Sequence, residues 1–286
     1  MVNILVIGAS GQLGLELASI EKDFPNYNFF FANKKTVDIT NFEAVSNVVS
    51  KNNSTTIINC AAYTNVDKAE DEPNLANEVN HLAVKNLAEV AKKHQLKLVH
   101  ISTDYVFDGN SSKPYIENDI PNPQNVYGRS KLRGEEALLE VNPDNSVIIR
   151  TSWLYSQFGN NFVKTMLRLS KEKNTISVVS DQIGSPTYAA DLAKTILQIL
   201  PLIKSNGVQT YHYANKGACS WFQFAEEIMK ISNSNCKVLP ISSSEFKAVA
   251  KRPDFSLLAT QKIESDFSLK IPHWKNALEK CVLKFV

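Results

Sequence analysis

Tyr127 and Lys131 are the two residues of this sequence whose spacing most directly suggests chemistry. Of the nine tyrosines, Tyr127 alone has a lysine four positions later, and on a helix two such side chains share a face about one turn apart. An ammonium beside a phenol favours the phenolate and lowers the pKa of the phenol. A tyrosine with this neighbour can protonate a carbonyl oxygen while hydride arrives at the carbon. The alternative is that the two residues have this spacing by chance on an amphipathic helix. Other signals are needed to favour the catalytic interpretation.

A second signal is the pair of hydroxyl residues Ser102 and Thr103, which end a predicted strand over 96–102. In an open α/β sheet, ligands bind outside the carboxyl ends of the strands. A hydroxyl placed there can hydrogen-bond a substrate carbonyl and help to stabilise the alkoxide that forms from it. His100, inside the same strand, is interpreted as a core residue rather than a base.

A third signal is a glycine turn between an apolar run and a helix. Gly8 permits the tight turn, Gly11 lets the backbone approach a pyrophosphate, and Gly14 allows close packing of the helix on the strand. The helix N-terminus then offers free N–H groups to the phosphates. This turn predicts a dinucleotide site, to which we also assign Ser10, Gln12 and Leu13.

The end of the predicted second strand, 27–32, bears on the choice of cofactor. An acid in this place would bind the ribose hydroxyls of NAD, but Lys34 and Lys35 follow the strand and the next carboxylate is Asp38. A lysine pair suits a 2′-phosphate, which favours NADPH. The alternative is that the two lysines are only solvated residues of a loop, in which case NADH remains possible as the cofactor. Asp38 and Ile39 are expected near the adenine or its ribose.

Strands and helices alternate through the first half of the chain and must position these residues. Strands are predicted over 2–7, 27–32, 55–59, 96–102 and 146–150, and helices over 42–51, 75–94 and 126–140. This alternation predicts an α/β fold with a Rossmann-like doubly wound parallel sheet. Shorter, irregular elements beyond residue 150 predict a smaller mixed α/β C-terminal substrate domain. We expect residues 1–150 and about 188–207 in the dinucleotide-binding domain, and about 151–187 and 208–286 in the substrate domain.

Composition excludes several classes of protein. The 286 residues carry 31 basic and 29 acidic side chains, a balance that predicts neither nucleic acid nor a membrane surface as a partner. The N-terminal residues lack the pattern of a signal peptide, and no stretch approaches the ~20 apolar residues that cross a bilayer. The four cysteines show no disulfide or C-x-x-C spacing. We therefore expect a cytoplasmic protein.

The glycine turn, the hydroxyl-bearing strand end and the Tyr-x-x-x-Lys helix occur in the order used by the short-chain dehydrogenases. The sequence resembles one branch of them more closely, the dTDP-4-dehydrorhamnose reductases. The similar segments span most of the chain: 8–14 (GASGQLG), 59–70 (NCAAYTNVDKAE), 102–109 (STDYVFDG), 125–131 (NVYGRSK), 150–155 (RTSWLY), 159–162 (GNNF) and 181–187 (DQIGSPT).

This resemblance implies hydride transfer from NADPH to C4 of dTDP-4-dehydro-β-L-rhamnose, giving dTDP-L-rhamnose for cell-surface polysaccharide. It implies that Tyr127 is the acid, Lys131 its partner and Thr103 the hydroxyl that binds the carbonyl. The residues it assigns to the dinucleotide are Ala61, Ala62, Tyr63 and Thr64. Those it assigns to the nucleotide sugar are Asp104, Tyr105 and Trp153 around the deoxysugar, and Asn161, Gln182 and Arg252 around the diphosphate.

Two departures from the family pattern concern the nucleotide pocket and a metal. Leu257 stands where the family has a basic residue shortly after Arg252-Pro253. Some members bind Mg²⁺ through acidic residues at a dimer contact. Glu16 matches one of those acids, but Asp191 has no adjacent carboxylate. The set of acidic residues that binds Mg²⁺ in those members is therefore incomplete here, and we leave both a Mg²⁺ site and a homodimer open. No His/Cys cluster suggests another metal.

Other functions remain open at this point. The chain could reduce another nucleotide-linked 4-keto-6-deoxysugar, or give the opposite configuration at C4. A dehydratase is disfavoured because Asp104 and Tyr105 follow Thr103, where the sugar dehydratases carry an Asp-Glu pair. A non-catalytic NADP-binding subunit, similar to the regulatory subunit of methionine adenosyltransferase, is the alternative from a different class.

Overall fold

A parallel sheet of six strands forms the centre of the computed structural model, which describes residues 2–285. The strands of the protein are β1 (Val2–Ile7), β2 (Tyr27–Ala32), β3 (Thr56–Asn59), β4 (Lys97–Thr103), β5 (Ser146–Thr151), β6 (Leu154–Tyr155), β7 (Thr175–Val179), β8 (Ile183–Gly184), β9 (Thr187–Tyr188), β10 (Val208–Tyr213), β11 (Cys219–Ser220) and β12 (Lys237–Ile241). The helices are α1 (Gln12–Ser19), α2 (Phe42–Lys51), α3 (Val66–Asp71), α4 (Pro73–Asn77), α5 (Ala83–His94), α6 (Val126–Val141), α7 (Phe162–Glu172), α8 (Ala189–Ile199), α9 (Trp221–Ile231), α10 (Gln261–Phe267) and α11 (Trp274–Val282).

The order of strands across the central sheet is β2, β1, β3, β4, β5, β10, and every neighbouring pair is parallel. From β1 the chain passes to β2 on one side and then returns to β3 on the other. In such sheets, ligands bind in the crevice that opens where the strand order reverses. The predicted Rossmann-like doubly wound fold is thus confirmed.

Alternate side chains of the sheet build the cores on its two faces, as expected for strands buried on both sides. Ile4 and Val6 of β1 pack on one face with residues of α1 and α8. Leu5 and Ile7 pack on the other face with residues of α2 and α5. A third core joins α7, α9 and α11 beyond the sheet.

β10 lies where the sequence analysis did not place it. Residues 208–286 were assigned to the substrate domain, but Val208–Tyr213 pairs with β5 in the central sheet, from Val208 opposite Ser146 to Tyr213 opposite Thr151. The division into two domains itself stays a prediction.

The predicted helix over 75–94 is divided into three parts. α4 passes into the π-helical segment Glu78–Leu82 and then into α5. π-Helical turns inside helices are frequent at functional sites. Here the turn carries Asn80, a fully buried residue whose contacts reach two parts of the candidate site.

Candidate active site

The carboxyl ends of β3, β4 and β5 lie side by side and bring the predicted catalytic groups together. In the register of the sheet, Asn59 pairs with His100 and Thr103 pairs with Thr151. β1 ends beside β3, with Ile7 opposite Asn59. The hydroxyl-bearing end of β4 is therefore one strand away from the crevice between β1 and β3.

α6 places Tyr127 over the end of β4. Asn125 caps this helix by accepting a hydrogen bond from Gly128 N, and its Nδ2 donates to Lys251 O at 2.8 Å. The helix can approach this closely because Gly128 has no side chain; a Cβ there would overlap the carbonyl oxygen of Tyr105. Tyr127 thereby lies near Thr103, whose hydroxyl affects the pKa of the phenol.

The phenol of Tyr127 is held in its protonated form. Burial raises its pKa to about 12, the hydrogen bond with the Thr103 hydroxyl lowers it by less, and the charge of Asp104 raises it further. The expectation of a lowered phenol pKa is therefore wrong, because desolvation dominates at this position. A protonated phenol is the form that can donate a proton to a carbonyl oxygen.

Lys131 lies one turn after Tyr127 and is only 1% exposed. Its Nζ donates to Ile101 O at 2.7 Å and lies 3.3 Å from Nε2 of His100. Burial lowers the pKa of the ammonium to about 8, while the negative charge of Glu135 raises it by less. Lys131 is thus attached to the backbone of β4 immediately before the hydroxyl-bearing residues.

Several buried polar atoms around these groups have no hydrogen-bond partner among residues 2–285. They include Ser102 Oγ, Asp104 Oδ2 and Arg252 Nε. Thr103 Oγ1 donates to the other carboxylate oxygen of Asp104 at 3.0 Å. Burial raises the pKa of the Asp104 carboxyl to about 6, and the hydroxyls of Ser256 and Thr103 lower it by less. Buried polar atoms are nearly always satisfied, so this side of the site suits a ligand with hydroxyl groups and an acceptor.

Two tryptophans, Trp153 and Trp221, stack on one another beyond the end of β5. Trp153 follows β5 with φ of +48°, in the left-handed region that a bulky side chain rarely adopts. Its ring lies on that of Trp221, with centroids 3.5 Å apart and planes 9° from parallel. Strained backbone of this kind is concentrated at functional sites. Trp221, which begins α9, was missed because nothing in its local sequence shows that a partner 68 positions away will stack on it.

An ion pair holds Arg252 at another side of the site. Arg252 Nη2 lies 2.7 Å from Asp67 Oδ2, and Asp67 Oδ1 accepts from Ala250 N at 3.1 Å. The positive charge of Arg252 also opposes the rise in pKa that burial causes at Tyr105. The Tyr105 ring is 5.5 Å from that of Tyr127, edge to face. Arg252 therefore belongs to the same cluster as the predicted acid.

The glycine turn forms a cradle at the crevice between β1 and β3. Gly8 has φ of +80°, and a Cβ there would lie 2.5 Å from Ala61 N. Gly11 is exposed and precedes α1 without any side-chain cap. The N–H groups of Gln12 and Leu13 have no acceptor within residues 2–285. Free N–H groups at an uncapped helix N-terminus fit a pyrophosphate. The Leu13 side chain lies in the core, so this residue can offer only its backbone.

The segment after β3 is fixed by a residue that the sequence analysis missed. Asn80 accepts from Tyr63 N at 2.8 Å, donates to Tyr63 O at 3.0 Å and donates to the Ser130 hydroxyl at 2.9 Å. Asn80 therefore joins the segment Ala61–Ala62–Tyr63–Thr64, predicted to line the dinucleotide, to the residue before Lys131. The π-helical turn that carries it has no simple sequence signature.

The residues expected at the far ribose are at the surface. Asp38 is exposed, and its Oδ1 accepts from Thr40 N at 2.9 Å and from the Thr40 hydroxyl at 2.7 Å, which lowers its pKa. Lys34 and Lys35 are exposed in the same loop after β2, and Ile39 is half-buried. The ammonium groups of Lys34 and Lys35 are therefore accessible to a phosphate.

Comparison with known proteins identifies the family. The model of the RmlD substrate binding domain matches residues 2–286. A dTDP-4-dehydrorhamnose reductase of Aggregatibacter actinomycetemcomitans is 41% identical over 98% of both chains, and a dTDP-4-keto-6-deoxy-D-glucose reductase of Streptomyces niveus is 36% identical over 96% of this chain and 94% of the other. The crystal structure of a dTDP-4-dehydrorhamnose reductase of Bacillus anthracis in complex with NADP superimposes with a TM-score of 0.92, at 43% identity, over 99% of this chain and 100% of the other.

The chain belongs to the RmlD family. Within this RmlD-family protein, the two residues predicted for the diphosphate besides Arg252 differ in their contacts. Gln182 is 7% exposed, and its side chain has no hydrogen bond within the described chain. Asn161 donates from Nδ2 to Gln12 Oε1 at 2.9 Å and to Ser156 O at 2.7 Å, and accepts from Lys164 N at 3.1 Å. Asn161 thus connects the glycine turn to α7 and has no free group for a ligand.

Glu16, the residue of this RmlD-family chain that matches a magnesium ligand, is fully buried in α1. Its carboxylate accepts from the Ser156 hydroxyl at 2.6 Å and from Gln157 Nε2 at 3.4 Å. Between residues 2 and 285, no group of three or more His, Cys, Asp or Glu side chains is arranged to hold a metal ion. Within the same range, no helix is long and apolar enough to cross a membrane.

Proposed function

We propose that this protein reduces the C4 keto group of dTDP-4-dehydro-β-L-rhamnose with NADPH and so forms dTDP-L-rhamnose for cell-surface polysaccharide. The observation that carries the proposal is the meeting of Tyr127, Thr103 and Lys131 at the end of β4, beside the glycine cradle. The chain is related over nearly its full length to proteins named as reductases of this sugar nucleotide.

Tyr127 acts as the proton donor in this proposal. NADPH, when bound, would supply the hydride that reduces C4 of the sugar. The Tyr127 hydroxyl donates its proton to the C4 oxygen as negative charge develops there. The Thr103 hydroxyl, which donates to Asp104 Oδ1 in the protein without ligand, turns to donate its one hydrogen bond to the same oxygen and stabilises its charge. The Tyr127 phenolate left behind is reprotonated from solvent, which restores the buried, protonated phenol. Lys131, fixed on Ile101 O, orients the nicotinamide ribose next to Tyr127.

Asp104, Tyr105, Trp153, Gln182 and Arg252 bind the nucleotide sugar. The free Oδ2 of Asp104 accepts from a sugar hydroxyl, and the indole of Trp153 packs on the apolar face that carries the 6-methyl group. Arg252, held by Asp67, binds a diphosphate oxygen through its unpaired Nε–H. Gln182, which is buried and makes no hydrogen bond within the described chain, offers its amide to the same ligand. Asn161 contributes through Gln12 rather than by direct contact.

The cofactor is NADPH rather than NADH. The cradle of Gly8, Gly11 and the α1 N-terminus receives the pyrophosphate, and Ser10, Ala61, Ala62 and Thr64 line the path of the dinucleotide. Lys34 and Lys35 bind the 2′-phosphate, and Asp38 with Ile39 borders the adenine ribose. The NADP complex of the Bacillus anthracis relative supports this choice.

The four free cysteines agree with a cytoplasmic location, where thiols stay reduced. A homodimer and a Mg²⁺ site stay predictions.

A second candidate is the C4 reduction of another dTDP-4-keto-6-deoxysugar. The Streptomyces niveus relative, named for a substrate of D-gluco configuration, favours it. Both reactions use the same proton donor and differ in how the sugar lies against Trp153 and Asp104.

One experiment separates these outcomes. Purified protein is mixed, in separate reactions, with dTDP-4-dehydro-β-L-rhamnose or dTDP-4-keto-6-deoxy-D-glucose and with NADPH or NADH; nicotinamide absorbance is followed, and the product is identified by NMR. Oxidation of NADPH with an L-rhamno product is the expected result. Turnover of dTDP-4-keto-6-deoxy-D-glucose alone would replace the substrate by the second candidate. Absence of turnover with either sugar, despite NADPH binding, would overturn the proposal.

A further inference from the structure

Asn59 and His100 form a buried hydrogen-bonded pair behind Lys131. The two residues are opposite one another in the register of β3 and β4, and they are 1% and 0% exposed. Asn59 Nδ2 lies 3.0 Å from Nδ1 of His100. The other ring nitrogen, Nε2, faces Lys131 Nζ at 3.3 Å. A continuous chain of polar atoms thus runs from the end of β3 to Lys131.

The backbone decides which end of the Asn59 amide faces His100. Ala61 N donates to Asn59 Oδ1 at 3.1 Å, and a backbone N–H cannot accept a hydrogen bond. The Nδ2 end, which can only donate, is therefore the end directed at His100. Nδ1 of His100 must accept, and in a neutral imidazole the proton then resides on Nε2.

The charge of the His100 ring is settled by its surroundings. Because Nδ1 accepts from the Asn59 amide, it carries no proton and the ring is neutral. Burial acts in the same direction and keeps the pKa of His100 well below its usual value. An Nε2–H donor consequently points at Lys131. An ammonium group has only donors to offer, and two donors 3.3 Å apart repel one another. A neutral amine has a lone pair that accepts the Nε2 proton.

We propose that His100 is a positioning residue of the reaction, which, through the tautomer that Asn59 imposes, holds Lys131 against β4 and favours its neutral amine. This inference rests on the proposed function for its effect on turnover, but the tautomer itself does not. The ring acts through Lys131 and touches neither sugar nor nicotinamide. It differs from the interpretation of His100 as a satisfied core residue, because its hydrogen bonds are arranged to alter the proton on Lys131.

Other charged groups near Lys131 act in both directions. On its own helix, Glu135 favours the ammonium, but its carboxylate is paired with Arg150 of β5 at 2.7 Å and is partly neutralised. Tyr127, also on α6, keeps its proton. Asp104, in the turn after β4, acts on the phenol of Tyr127 rather than on Lys131. His100 of β4 is the neighbour whose effect can be changed without altering this set of charges.

The tautomer can be read directly in the intact protein without substrate. In ¹⁵N-labelled protein, the two ring nitrogens of His100 are assigned by comparison with His100→Gln and followed by long-range ¹H–¹⁵N correlation. We expect a protonated Nε2 and a bare Nδ1. A proton on Nδ1 would overturn the proposal, because the amide of Asn59 would then be reversed and Lys131 would donate to His100. This readout stands even if the proposed reaction fails.

The pH dependence of turnover tests the consequence. In His100→Gln, the amide oxygen can accept from the ammonium, so the fall of kcat/KM at alkaline pH should move upward by about one pH unit. The matched control is His212→Gln, since His212 is fully buried on β10 and contacts Arg150 instead. Both variants are expected to lose stability, and only the first to move the alkaline limb. Equal profiles for the two variants would overturn the proposal.

Discussion

Asp67 and Arg252 lie 185 positions apart in the sequence and form an ion pair of 2.7 Å at the edge of the active site. Asp67 comes from the first turn of α3, and Arg252 from the segment before Pro253. The pair is partly exposed, with 41% and 26% of the side-chain surfaces accessible. Its main effect is therefore on the orientation of the guanidinium rather than on stability, because exposed ion pairs contribute little.

The variant Asp67→Asn tests this orientation. We expect KM for the nucleotide sugar to rise roughly tenfold, a loss of about 1.4 kcal/mol in binding, while kcat and KM for NADPH change little. Steady-state kinetics with each ligand varied in turn measures both constants. Glu172→Gln, which removes the exposed Arg168–Glu172 pair on α7, is the control and should behave as wild type. An unchanged KM in Asp67→Asn would contradict the role of the pair.

Removal of the phenol oxygen in Tyr127→Phe should lower kcat by roughly 10²–10⁴-fold, the range typical of a lost general acid. The ring would still pack against Tyr105, so NADPH binding measured by fluorescence titration should stay the same. Tyr27→Phe is the control, because the Tyr27 hydroxyl contacts Leu197 O at the opposite end of the sheet. A kcat near that of wild type in Tyr127→Phe would exclude this residue as the acid.

Asp104→Asn should raise stability and lower activity at neutral pH. Burial raises the pKa of the folded carboxyl to about 6, from its usual 3.8, so the folded protein binds more protons than the unfolded chain between these values. The free energy of unfolding should therefore fall as pH rises from about 4 to 6, and stay lower above that range. The asparagine has no such titration and should be more stable at pH 7 by on the order of 3 kcal/mol.

Urea unfolding of both proteins between pH 4 and pH 8 measures the effect of Asp104. The exposed carboxylate of Asp23 provides the control substitution, Asp23→Asn, which should leave the pH dependence of wild type intact. The same pH dependence of unfolding in wild type, Asp104→Asn and Asp23→Asn would show that Asp104 does not titrate in this range. In the same variant, kcat/KM for the sugar should fall because the acceptor Oδ2 is lost.

Two alanine substitutions in the glycine turn should separate folding from cofactor binding. Gly8→Ala combines a φ of +80° with a Cβ 2.5 Å from Ala61 N, so we expect a loss of more than about 1 kcal/mol of stability. At Gly11 the backbone is extended, with φ of −80°, and a Cβ meets only Gly8 O, at 3.3 Å. Gly11→Ala should keep its melting temperature and lose affinity for NADPH, as calorimetric titration would measure. Equal loss of stability in both variants would contradict this assignment.

The double variant Lys34→Ala/Lys35→Ala should raise KM for NADPH roughly tenfold and leave KM for NADH almost unchanged. The difference arises because only NADPH carries a 2′-phosphate to attract the two ammonium groups. It should shrink at high ionic strength, since exposed charges are screened over about 8 Å at 0.15 M. Lys22→Ala, on the exposed turn after α1, serves as the control. A parallel change in both KM values would place the 2′-phosphate elsewhere.

Local patterns were sufficient to predict five of the six strands of the central sheet, β10 being the exception, and the groups that the edge of the sheet carries. The apolar run of residues 2–7 gave β1 with its observed ends, because a parallel strand buried on both faces is continuous in hydrophobicity. The aromatic run of residues 27–32 gave β2, an edge strand that is half-buried over most of its length. Tyr127, Lys131 and Thr103 could be found since a helix spacing and a strand end are short-range features. The structure brings all three to one place, although their chemical roles stay a proposal.

Contacts between distant segments could not be predicted in the same way. The stack of Trp153 and Trp221, the pair of Asp67 and Arg252, and the links of Asn80 depend on how separate elements pack. The sign of the Tyr127 pKa shift was missed for a related reason. Spacing suggests a positive neighbour, whereas burial, which here has the larger effect, is a property of the folded chain.

β10 joins the sheet only after the chain has passed through β6 to β9, α7 and α8. During synthesis, residues 152–207 must therefore emerge before β5 gains its outer neighbour, which takes roughly 3–11 s at ordinary translation rates. Every residue of β5 is buried in the folded protein, and an apolar edge strand is a template for aggregation while it is unpaired. A ribosome that stalls in this interval, or a gene truncated so that the protein ends near residue 150, would leave β5 without β10 as its neighbour.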